Sequence, residues 1–129
     1  MTTRRASILI VDDNPAMAKT TADILAAHGY TVQTAASGRE ALDIFRRDKI
    51  NLLLTDVIMP DMNGVELFVQ GRRILPSLMA FLMTAYSADD LIQRGWREGV
   101  KAVLTKPLDL NLLLALVQGV EAAYLENRT

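Results

Sequence analysis

Asp12, Asp13, Asp56, Thr84 and Lys106 are the side chains of this 129-residue chain whose types and positions suit chemistry, because each directly follows or closes a short apolar run: ILIVDD, LLLTD, FLMT and AVLTK. Singly, each has an ordinary explanation. An acid ahead of a helix is usually a cap, a lone Asp56 is a turn former, Thr84 has plain β-propensity, and Lys106 is a solvated lysine on an apolar stem. Jointly these explanations weaken. Capping accounts for one acid but not for two in succession facing a third, and carboxylates gathered without a cation raise one another's pKa values at a cost in stability. A divalent ion removes that conflict. Hard oxygen donors with no histidine or cysteine beside them suit Mg²⁺, which takes one or two carboxylates, keeps waters and leaves room for a phosphate oxygen.

The elements that must position these groups alternate in type. Short runs rich in β-branched residues predict strands over Ser7–Val11, Thr31–Ala35, Asn51–Thr55, Met79–Thr84 and Ala102–Thr105. Helical spacing fills Pro15–His28, Gly38–Asp48, Val65–Leu75 and Asp89–Glu98, and a last helix runs from about Asn111 to Glu126. Asn14 before Pro15 has the form of an N-cap with proline at the first helical position, Gly29 is placed to stop the first helix, and Ser37 with Glu40 forms a capping box. Continuous apolar strands such as ILIV, LLL and FLM imply burial on both faces, hence an α/β fold with a mostly parallel five-stranded sheet and helices on each side. Ligands of such sheets bind beyond the carboxyl ends of the strands, near the point where strand order reverses. That rim is where the three carboxylates, the hydroxyl and the ammonium fall.

IVDDNP, LLLTDVIMPDMNG, FLMTAYS and LTKPL, in this order and spacing from about Ser7 to Tyr124, resemble the receiver domain of two-component response regulators. Each motif alone is weakly specific; the ordered set is strongly so. The resemblance implies a doubly wound, flavodoxin-like sheet of strand order 2-1-3-4-5 and a single receiver domain over residues 1–129, with its core at about 7–124. It implies that Asp56 is the phosphoacceptor and that Asp13, Asp56 and the Ile58 carbonyl ligate Mg²⁺, with Asp12 acting largely through a water. Thr84 and Lys106 would bind the phosphoryl oxygens, and Lys106–Pro107 resembles the family's cis peptide. Such a domain is a signalling switch that catalyses only its own phosphorylation and dephosphorylation. Its implied partners are a sensor histidine kinase or phosphotransfer protein and a downstream protein or output domain, reached through the fourth helix, fifth strand and fifth helix.

One position departs from the common pattern. The family usually has Tyr or Phe three residues before the lysine, where this chain has Val103, so a ring flip there is impossible; Tyr86 is the nearest aromatic, read equally as its substitute or as an exposed loop residue. Ile58 and Tyr86 flank the path of attacking water in this family, and their bulk implies a long-lived phosphoryl group; Ala85 is small and leaves the entrance open to a donor. Trp96 pairs with Ile92 at i, i+4. Core packing is the main reading for Ile92, while Trp96 is divided between core and a partner surface. In the last helix Leu110, Leu113, Val117, Val120 and Tyr124 form a core stripe, leaving Leu112 and Leu116 to widen it or to make a homodimer contact.

Composition bounds the rest. The chain has no cysteine, which excludes disulfides, thiolate catalysis and Cys-based zinc sites. A formal net charge of -1, from 14 basic against 15 acidic residues, offers no broad cationic surface for nucleic acid or an anionic membrane. No apolar stretch approaches the ~20 residues of a membrane span, and MTTRRAS is not followed by a signal-like region, so the expected location is cytoplasmic. Because nothing follows the last helix, the chain reads as a stand-alone regulator or as a receiver cut from a longer protein. An aspartate-nucleophile phosphatase would need D-x-D after the first strand, where this chain has Asp12-Asp13-Asn14. A pseudo-receiver typically lacks one of the five groups, and no G-x-G-x-x-G marks a dinucleotide site.

Overall fold

In the computed structural model, which describes residues 5–85 and 88–127 (side chains of 124–127 excepted), strands and helices alternate strictly. They are β1 (Ser7–Val11), α1 (Pro15–Ala27), β2 (Thr31–Ala35), α2 (Gly38–Arg47), β3 (Leu52–Asp56), α3 (Gly64–Ile74), β4 (Met79–Thr84), α4 (Asp89–Glu98), β5 (Ala102–Thr105) and α5 (Leu110–Asn127). All strand pairs are parallel, in the order β2-β1-β3-β4-β5. The doubly wound fold is as expected from the sequence. Alternation along each strand feeds two cores: Ile8, Ile10, Leu52, Leu54, Phe81 and Met83 meet α1 and α5, while Leu9, Val11, Leu53 and Leu82 meet α2 and α3. The strand order reverses between β1 and β3, so Asp12, Asp13 and Asp56 flank the switch point.

The helix punctuation operates largely as the residue types dictate. Asn14 accepts from the Met17 amide with Pro15 in the first turn, and Gly29 takes a left-handed φ of 93° just past α1. Ser37 accepts from the Glu40 amide at 3.1 Å, but Glu40 reaches back to the Ala36 amide, one residue before the cap. Most element ends fall within a residue of expectation. The informative shift is at β3, which begins at Leu52 rather than Asn51 and includes Asp56: Asp56 stays in register with Met83, and the Val57 amide still donates to the Met83 carbonyl at 2.9 Å. Asn51 instead bridges to Ser7 through backbone and side chain. The acid at the end of the sheet is therefore part of the ladder and inherits its rigidity.

Glycine is required at the turn into α3. A Cβ on Gly64 would lie 2.2 Å from the Asp56 carbonyl oxygen, so only glycine lets the helix start this close to the end of β3. On α4 the main contacts with the core come from Leu91 and from Gly95, whose missing side chain admits Leu82 and Val65. Ile92, expected chiefly in the core, is half-buried and belongs to neither core cluster, because Leu91 and Gly95 occupy the inward face. Trp96 is 47% exposed. In α5 Leu110, Leu113, Val117 and Val120 form the expected stripe, Leu116 widens it, and Leu112 remains 49% exposed. The side chain of Tyr124 lies outside the described residues. No described helix is long and apolar enough to cross a membrane.

Candidate functional site

Each chemical group reaches the site from a strand end held by the neighbouring backbone. The Asp12 amide donates to the Ala35 carbonyl of β2 at 3.1 Å, and the Asp12 carboxylate in turn accepts from the Asn14 amide at 2.9 Å. Thr55 caps the end of β3 by donating its hydroxyl to the Asp56 carbonyl at 3.0 Å. The Lys106 amide donates to the Thr84 carbonyl at 2.8 Å, so the last residues of β4 and the start of the Lys106–Pro107 cis turn are fixed together. A cavity of about 300 Å³ opens between these ends, lined by Asp12, Asp13, Asp56, Ile58, Thr84, Ala85 and Lys106 among others. Thus every one of the five groups singled out by residue type faces one space.

The electrostatics of that space are unusual for a protein interior. Carboxylate oxygens of Asp12, Asp13 and Asp56 lie within 4.8 Å of one another; Asp12 and Asp56 are buried and Asp13 is exposed. The Lys106 ammonium ion-pairs with both buried acids, at 3.0 Å to Asp12. Three carboxylates against one ammonium leave a net of two negative charges if all are ionised. The hardness of the oxygen donors, their mutual distance and that net charge fit a divalent cation. Burial pushes the Asp56 carboxyl up to about 6, with the Lys106 hydrogen bond opposing and Asp12 adding to the rise. Asp12, although burial opposes it, is held below the usual carboxylate range by the Asn14 amide, Asp56 and Lys106. Lys106 is raised despite its burial, through its hydrogen bonds to Asp56 and Asp12. The two acids behave as one pair in which Asp56 is the member readier to hold a proton.

The Response regulator receiver domain family model matches residues 8–118. The chain belongs to that family. Among its relatives is a response regulator receiver protein of Anaeromyxobacter sp. (strain Fw109-5), 44% identical over 108 residues, covering 84% of this chain and 45% of the relative. Another is the transcriptional regulatory protein GlrR of Escherichia coli K12, 33% identical over 123 residues, 95% of this chain and 27% of GlrR. The receiver domain thus spans less than half of either curated relative. A CheY-like receiver domain from Methanospirillum hungatei superimposes with a TM-score of 0.90 at 29% identity, covering 95% of this chain and 98% of that one. Family membership makes this receiver domain part of a signalling switch rather than a classical enzyme.

The remaining residues named from sequence are placed less centrally. Ile58 projects at the cavity mouth with 52% exposure, and Ala85 is exposed beside it. Val103 is half-buried and packs against the core that α2 and α3 share. Tyr86 lies outside the described residues. Asn14 and Met83 also line the cavity; the first was legible only as a helix cap and the second only as a strand residue. Asp61, which the sequence shows only within the LLLTDVIMPDMNG motif, accepts hydrogen bonds from the start of α2, a partner 22 to 23 residues earlier that no local pattern announces.

Proposed function

We propose that Asp56 accepts a phosphoryl group from the phosphohistidine of a sensor kinase or phosphotransfer protein, and that the resulting charge switches the α4/β5/α5 surface. The observation that carries this is the Lys106 ammonium held between Asp12 and Asp56 at the sheet's switch point. A carboxylate is a modest nucleophile, but phosphoryl transfer asks chiefly for alignment and charge neutralisation. An Asp56 oxygen forms the new P–O bond, the P–N bond to the donor imidazole breaks, and the imidazole nitrogen keeps the electron pair and takes a proton. Lys106 stays within reach of the phosphoryl oxygens and offsets their charge, and the Thr84 hydroxyl donates to them. Asp12, Asp13, Asp56 and the Ile58 carbonyl would hold Mg²⁺, which supplies the remaining neutralisation of the donor's oxygens.

The product carries about two negative charges where one stood. Hydrogen bonding to them draws Thr84 inward, and through the Thr84 backbone bond to Lys106 the start of the β5–α5 turn follows. With Val103 in place of an aromatic ring, we assign the output to exposed Trp96 and half-buried Ile92 on α4, read by a downstream protein or an output domain. Exposed Leu112 on α5 suits a homodimer contact. The near-neutral charge balance favours protein partners over nucleic acid or a membrane, in a cytoplasmic setting. Ile58, standing at the mouth, screens Asp56 from water, so the phosphoryl half-life shortens in Ile58→Asn.

Incubation of the chain with acetyl phosphate and Mg²⁺ tests the proposal. Intact mass should rise by one phosphoryl group, and the increment should vanish on chelation and in Asp56→Asn. An unmodified wild-type chain, with a cognate kinase as well as with acetyl phosphate, would mark a receiver that works without phosphorylation.

A further inference from the structure

The loop from Val57 to Asn63 carries Ile58 across the mouth of the site. Its two ends are pinned by the sheet and by α3: the Val57 amide donates to Met83, the Gly64 amide donates to the Val57 carbonyl at 2.8 Å, and Asn63 caps α3. The middle is tied to a different element. The Asp61 carboxylate accepts from the Gly38 amide at 3.2 Å and the Arg39 amide at 2.9 Å, the first two amides of α2. Beside it the Met62 side chain lies over Gly38, where an added Cβ would sit 2.4 Å from the Met62 Cγ. Hydrogen bonding from Arg39 first, against slight desolvation, keeps the Asp61 carboxyl below the usual range.

The corner to which Asp61 is fastened also fixes Asp12. β2 ends there, and the Ala35 carbonyl accepts from the Asp12 amide three residues before α2 begins. Two of the oxygen donors assigned above, the Asp12 carboxylate and the Ile58 carbonyl, are therefore referenced to one short stretch of backbone, the second of them through Asp61. An acid at a helix N-terminus stabilises that helix on its own account. Here the same bond also sets where residues 58–60 run.

We propose that Asp61 is a positioning residue for metal binding: it anchors the 57–63 loop to the start of α2 so that the Ile58 carbonyl stays in reach of Mg²⁺. This rests on the metal reading given under Proposed function. Groups that orient metal ligands without touching the metal typically cost 10–100-fold in affinity when removed, and a backbone ligand held through a loop belongs at the low end, about tenfold.

Calorimetric titration of the intact chain with Mg²⁺, alongside thermal melts without metal, separates the roles. Asp61→Ala should bind Mg²⁺ about tenfold more weakly, and Asp61→Asn, whose one oxygen can accept from only one of the two α2 amides while its NH2 faces the other, should fall between Asp61→Ala and wild type. Gly38→Ala keeps every charge while displacing Met62, and should weaken binding in the same direction even if Asp61→Ala folds poorly. Wild-type affinity in Asp61→Ala with only a lowered melting temperature would reduce Asp61 to a helix cap and overturn the proposal. Equal weakening in the Ala and Asn variants, with Gly38→Ala unaffected, would overturn it in favour of simple charge loss. A wild-type chain that fails to bind Mg²⁺ would remove the metal reading itself, and this inference with it.

Discussion

Lys106→Met should destabilise the domain by about 3–5 kcal/mol at pH 8, the usual cost of leaving buried charge uncompensated, and by much less at pH 5. Lys106 is the cation shared by Asp12 and Asp56, both nearly inaccessible, so its removal strands two carboxylates beside each other. The lysine does not itself titrate in this window: its folded pKa is raised, so its contribution is complete below its ordinary 10.5 and is lost only as pH rises beyond that. The pH dependence comes from the acids. Without the ammonium both carboxyls titrate higher than in wild type, and the folded state binds protons that the unfolded chain, near its ordinary 3.8, does not. Stability of the variant therefore recovers as pH falls from 8 towards 5. Urea midpoints of wild type and variant at several pH values test this, and a pH-independent difference would trace the loss to packing of the lysine stem instead.

Asp56→Asn should stabilise the fold at pH 8 by about 1–3 kcal/mol while abolishing phosphoryl uptake. The folded pKa of about 6 lies above the ordinary 3.8, the reverse of the usual aspartate. Its penalty is absent below the unfolded value, grows as pH rises from about 4 to 6, and is constant above. A shift of that size corresponds to roughly 3 kcal/mol, which the opposite shift of Asp12 reduces. The amide keeps an oxygen to accept from Lys106 and carries no charge to bury. Thermal melts in the absence of divalent ions should show the gain at pH 8 and its disappearance near pH 4. A loss of stability at pH 8 would mean that the Lys106–Asp56 pair outweighs the desolvation of the acid. Added Mg²⁺ should narrow the gap, because it stabilises the wild type more than the variant.

The site was legible because its groups sit at strand ends, and strand ends were marked by apolar runs giving way to a charge. β3 and β4 end on a residue that chemistry could use, β1 and β5 are followed at once by one, and parallel pairing brings those ends together without further instruction. The family motifs then supplied roles that residue types alone left open. What stayed hidden depends on contacts distant in sequence. Asp61 looks like any turn aspartate until α2 is folded against it. Ile92 carries a core residue's character, but Gly95 draws α4 so close to Leu82 and Val65 that Leu91 takes the inward position. Leu112 and Leu116 have equal hydrophobicity and differ only in rotation about α5, which no single helix period resolves to one residue. The one-residue shift of β3 has the same origin: the run read as a strand stops at Thr55, yet the ladder to Met83 continues through Asp56.

Asp56, and neither of its two neighbouring acids, is expected to carry the phosphoryl group. Borohydride reduction of the chain after treatment with acetyl phosphate and Mg²⁺ converts an acyl phosphate to an alcohol at the modified residue, and peptide mass mapping then reads its position. The expected product is homoserine at position 56, with Asp12 and Asp13 unchanged. Reduction at Asp12 or Asp13, or none in a chain that binds Mg²⁺ and has taken up phosphate, would contradict the account.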